Sequence, residues 1–103
     1  MKRLRIAALT AAMLTFPATL AQAGVIERAC NGSDRESASQ ALCGCLQDVA
    51  DLTLSGTEQR LAASFFRNPQ KAQDIRQSER ATNERFWQRY KNFGETAEAF
   101  CAS

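Results

Sequence analysis

From residue 24 onward, apolar positions recur at intervals of three and four, and few stretches alternate with period two. That is the rhythm of helices with one face against a core rather than of half-buried strands. Ser33 to Glu36 (SDRE) and Ser55 to Glu58 (SGTE) each fit a capping box. In such a box the hydroxyl accepts from a backbone N–H while the glutamate reaches back to the cap. After the first box, Ala38, Leu42, Cys45, Val49 and Leu52 predict one apolar face, in a helix that Ser55-Gly56 ends. After the second, Leu61, Ala62, Phe65 and Phe66 predict the next. Asn68 suits an N-cap and Pro69 the first helical position. From Gln70 the chain is polar apart from Ala72 and Ile75, until Phe86, Tyr90, Phe93, Ala97 and Phe100 form an apolar stripe. Gly94 falls inside that stripe, where it either breaks the helix, kinks it or is tolerated. The pattern predicts an all-α fold, a small bundle of four or five short helices, with no repeat and no linker.

The first 23 residues behave differently. Lys2, Arg3 and Arg5 precede a mostly apolar run from Ile6 to Leu20, and Ala21-Gln22-Ala23 reads as a small-x-small cleavage site. These are the parts of a secretory signal peptide, and the run is short for a membrane anchor. The expected organisation is residues 1–23 as a cleaved leader and 24–103 as one small domain. Cleavage changes the charge. Of thirteen basic residues the leader holds three, and it holds no acid, so the remainder carries ten against eleven and a net charge of −1 instead of +2. Charges of both signs are interspersed, which removes the electrostatic case for nucleic acid. No later segment is apolar enough to span a membrane, so no span is expected once the leader is gone.

All four cysteines, Cys30, Cys43, Cys45 and Cys101, lie beyond the leader. An exported chain meets an oxidising compartment, and an even count there implies disulfides. A domain this short is also marginal without such staples. Cys43 and Cys45 are separated only by Gly44. On a helix, residues two apart project about 200° from each other, so each cysteine needs its own partner. With Cys45 on the core stripe and Cys101 ending the aromatic one, Cys30–Cys43 with Cys45–Cys101 is the favoured pairing. The crossed pairing stays open. So does Cys43–Cys45 with Cys30–Cys101, in which Gly44 opens the helix and a strained, labile bridge becomes a redox pair.

Other chemistry is sparse. The chain has no histidine, which removes the commonest general base, the Ser-His-Asp and Cys-His arrangements and most zinc sites. No C-x-x-C motif and no glycine-rich phosphate loop occurs. Asp48 and Asp51 read as a solvated helix edge, and Asn31-Gly32-Ser33 is a glycosylation sequon that matters only in a eukaryotic secretory route. No catalytic residue, metal ligand or cofactor is expected. Arg76 and Arg80, then Arg85 and Arg89, fall one helical turn apart with Glu79 and Glu84 interleaved, the pattern of an ion-paired solvated face. Trp87, beside Tyr90 and Arg89, is the candidate anchor of a binding groove.

The run CNGSDRESASQALCGCLQDVADLTLSGTEQRLAASFF, with NPQKAQ and FWQRYKNFG after it, resembles a group of small exported bacterial proteins sometimes labelled "arginine transporter". The resemblance covers nearly the whole chain beyond the leader and brings no catalytic residue with it. One cleaved leader and no spanning helix cannot build a permeation path, so the label implies at most a periplasmic accessory or binding role. The expected function is a periplasmic or secreted helical module that binds a protein or small-molecule ligand. A thiol–disulfide redox protein using Cys43 and Cys45 is the alternative, and a periplasmic stress chaperone a third possibility.

Overall fold

A computed structural model describes residues 24–33 and 38–101 as five helices, with no strand among them. These are α1 (Val25–Asn31), α2 (Gln40–Thr53), α3 (Gly56–Arg67), α4 (Pro69–Arg76) and α5 (Ala81–Cys101). The leader and Asp34, Arg35 and Glu36 of the Ser33–Glu36 box lie outside the described residues.

Two of the predicted boundaries hold, and the open question at Gly94 is decided. Ser55 and Glu58 form a complete capping box on α3: the Glu58 N–H donates to the Ser55 hydroxyl and the Ser55 N–H donates to the Glu58 carboxylate at 2.9 Å. Asn68 closes α3 and opens α4, with Pro69 at its first position. Gly94 is tolerated: α5 runs unbroken for 21 residues, about 31 Å. The start of α2 differs. Its N-cap is Ser39, whose hydroxyl accepts from the Leu42 N–H at 3.1 Å. Ser33 instead follows the Gly32 cap at the end of α1, donating its hydroxyl to the Cys30 carbonyl at 2.7 Å.

The fifth helix is α1. It has seven residues, and its N-cap is Gly24, which offers no side chain to its free N–H groups. A helix this short has little stability of its own. Gln47 of α2 supplies the missing cap: its Oε1 accepts from the N–H groups of Ile26 at 2.9 Å and Glu27 at 3.0 Å. Its Nε2 donates to Asp51 and to the Gln59 amide oxygen of α3, both at 2.8 Å. Gln59 in turn donates to Asp51 and to the Leu54 carbonyl. Both glutamines are buried, and the network satisfies them, as a dry polar seam requires. The approach is close. A Cβ on Gly24 would lie 2.2 Å from the Gln47 amide carbon, so this position admits only glycine without displacing the cap.

The predicted face of α2 was centred too far to one side. Its buried arc is wide because α1 covers one flank and α5 the other. Cys43, Gln47, Val49 and Ala50 are the residues it buries, and Cys43 is fully enclosed while Cys45 is half-buried. Leu52, counted as core from its spacing, is 84% exposed because it lies just past the edge of that arc. Phe100 is likewise 76% exposed. It continues the α5 stripe beyond the level at which other helices cover it, and its neighbour Cys101 turns to α2 instead. The rest of that stripe is core. Phe86, Phe93 and Ala97 are buried, and Tyr90 is half-buried between them. Phe65 of α3 meets Phe86 and Tyr90 edge-on, with ring centroids 5.9 and 5.2 Å apart, the geometry aromatic quadrupoles favour.

Candidate functional site

The Cys43-Gly44-Cys45 stretch is a structural hub. Cys43 bonds to Cys30 of α1 and Cys45 bonds to Cys101 of α5, with Cα separations of 5.5 and 5.8 Å. The two sulfurs leave α2 on opposite sides, as their spacing dictates. No cysteine is free. Gly44 keeps helical backbone, and a Cβ placed on it would make an ordinary 3.5 Å contact with the Glu27 carboxylate. One helical turn therefore anchors both α1 and α5.

Trp87, Tyr90 and Arg89 do not converge on one surface. Tyr90 belongs to the aromatic cluster, its ring 5.3 Å from Trp87 and 6.0 Å from Phe93. Arg89 turns to α3 and donates to Glu58 at 3.1 Å. Glu58 feels opposing influences: partial burial pushes its pKa up, but the Ser55 backbone N–H, the Arg89 guanidinium and the Ser55 hydroxyl outweigh this and hold it below the ordinary glutamate value. Among the described residues this is the one ion pair, so the expected ion-paired arginine face is absent. Its geometric premise holds for Arg85 and Arg89, both on α5, and fails for the other pair. Arg76 ends α4, whereas Arg80 lies in the connection before α5, so they do not share a helix.

Trp87 itself is half-buried and lines a cleft of about 470 Å³ between the end of α4 and the start of α5. Arg76 comes from α4, Ser78 from the connection, and Glu84, Arg85 and Gln88 from α5. Neither Arg76 nor Arg85 makes an ion pair among the described residues. Spacing alone does not reveal their part in this cleft, because it places arginines on helical faces without showing how α4 meets α5. The signal lay in Pro69 and Ser78, which bracket a short α4 and fold its end back toward Trp87.

A scan of protein-family models matches none to this chain, and neither curated proteins nor solved structures give a match. Among the described residues no helix is long and apolar enough to cross a membrane.

Proposed function

We propose that this chain is an exported, periplasmic or secreted helical module that binds a ligand or protein partner through the Trp87 cleft. The observation that carries this reading is a half-buried tryptophan, the only one in the chain, beside two guanidiniums that have no carboxylate partner among the described residues. Tryptophan and arginine are the residues most enriched where binding energy concentrates. The fold around them is stiffened by two disulfides, which fit an oxidising compartment. With Arg76 and Arg85 against Glu84 alone, the cleft favours a partner that carries an anionic group beside an apolar or aromatic one. The label borne by the resembled group translates, on this reading, into a binding or accessory role rather than transport.

The test combines processing with contact. N-terminal sequencing of exported protein is expected to begin at Gly24. A photo-crosslinking residue at Gln88, on the cleft rim, is expected to give a discrete adduct in the periplasm that a crosslinker at exposed Glu95 does not. Trp87→Ala should abolish the adduct while leaving the circular dichroism spectrum intact. Adducts equal at both positions would sink the cleft. Insulin reduction above background, lost in Cys45→Ser, would replace the reading with the redox alternative.

A further inference from the structure

A second cleft, sharing no lining residue with the first, opens in the seam between α1 and α3. It measures about 440 Å³, within the ordinary range for small-molecule sites, roughly 300–1,000 Å³. Its apolar lining comes from Val25 and Ala29 of α1 and Ala63 of α3, with Ala63 buried. Around it stand Arg28, Arg60 and Arg67. Arg60 and Arg67 are seven residues apart, two helical turns or about 10.5 Å along one face of α3, and Arg28 lies on α1 across the seam. Among the described residues no Asp or Glu lines the cleft, and none of the three arginines makes an ion pair. Arg60 donates only to the Thr57 hydroxyl, at 3.3 Å.

Helix dipoles explain part of this. Arg28 and Arg67 lie in the last turns of their helices, where a cation offsets the negative end. That does not account for Arg60, which is mid-helix, or for the gathering of three like charges around one apolar floor in a chain whose opposite charges nearly balance. Such a group repels itself unless an anion lies among its members. Guanidiniums are suited to that task because their forked N–H groups grip carboxylate or phosphate oxygens in pairs. The seam is also held in place, since the Gln47 cap and the Cys30–Cys43 bridge fix α1 against its neighbours.

We propose that the α1–α3 cleft binds a small amphiphilic organic anion. Its carboxylate or phosphate head is gripped by Arg60 with Arg28 and Arg67, and its short apolar body lies on Val25, Ala29 and Ala63. The site is separate from the Trp87 cleft, so either can fail without the other.

The probe is hexyl phosphate, titrated into the oxidised full-length chain and followed by amide NMR. Saturable shifts are expected at Val25, Ala29 and Ala63. Inorganic phosphate, lacking the apolar body, is expected to bind at least about tenfold more weakly. Arg60→Gln with Arg67→Gln, both on exposed positions, should weaken hexyl phosphate by at least about tenfold, with an unchanged melting temperature. Arg80→Gln, outside both clefts, should have no effect. Equal binding of hexyltrimethylammonium, or an equal loss in Arg80→Gln, would overturn the proposal. So would binding only to phosphatidylglycerol vesicles and not to free hexyl phosphate, which would make this face a lipid-surface contact instead.

Discussion

The two flanks of α2 are held by different means. Toward α1 a polar network is added to the packing of buried Ile26: a glutamine amide caps a neighbouring helix, a second glutamine and an aspartate complete the network, and a bridge spans 13 residues. Toward α5 the contact is apolar, with Val49 and Ala50 in the same core as Phe93 and Ala97, and a bridge spanning 56 residues. An apolar contact tolerates small shifts, because burial is non-directional. A hydrogen-bonded cap does not, because an N–H left unpaired in a dry seam loses its water and gains nothing. The α1 flank should therefore be sensitive to single atoms, and the α5 flank to chain connectivity and volume.

Removing the bridges in pairs tests connectivity first. Cys45→Ala with Cys101→Ala should cost about 4 kcal/mol, and Cys30→Ala with Cys43→Ala about 3, because the longer loop restrains the unfolded chain more. Urea denaturation of the two variants gives the order. A larger loss from the short bridge would mean that α1 depends on its covalent tie more than chain entropy allows.

Gln47→Ala should cost about 2–3 kcal/mol, since it strips the cap from Ile26 and Glu27 and one partner from Gln59. Hydrogen exchange should accelerate in α1 before α5. Uniform acceleration would show that the seam is not a local unit.

A pair of glycines sharpens the contrast further. Gly24→Ala forces a methyl into the Gln47 amide and should cost about 1–2 kcal/mol, the value of a helix cap. Gly44→Ala meets only an ordinary contact with Glu27 and should stabilise by up to about 1 kcal/mol, through helix propensity. Thermal melts moving in the same direction for both would refute the close approach at Gly24.

The smallest effect is a pH dependence. Glu58 has a lowered pKa when folded, so its contribution is complete above the ordinary glutamate value of 4.5 and is lost as pH falls through the folded value. The melting temperature of the wild type should fall more steeply than that of Glu58→Gln as pH drops from about 5 to 3. Parallel curves would leave the Ser55–Glu58–Arg89 contact without a role in stability.

Much of this architecture was legible in the sequence because its signals are local. The Ser55 capping box, Pro69 at a helix start and the Phe86-to-Ala97 stripe each depend on residues within a turn or two of one another. The 200° between Cys43 and Cys45 belongs to the same class, and it correctly separated their partners. Trp87 was legible as a residue of interest, but the arginines beside it were not, because Arg76 reaches the cleft only through the fold of α4.

The sequence by itself determined the all-α class, four of the five helices and the division of four cysteines into two staples, since periodicity and capping are written within single segments. Tertiary structure alone decided that Val25–Asn31 is a helix, that Gln47 and Gln59 are buried, and that Leu52 and Phe100 are not. It also decided that Arg28, Arg60 and Arg67 line one cleft. The physical reason is common to all of these. A polar amide becomes a core residue, and a seven-residue segment becomes a helix, only when partners a dozen or more positions away supply the hydrogen bonds that water would otherwise provide.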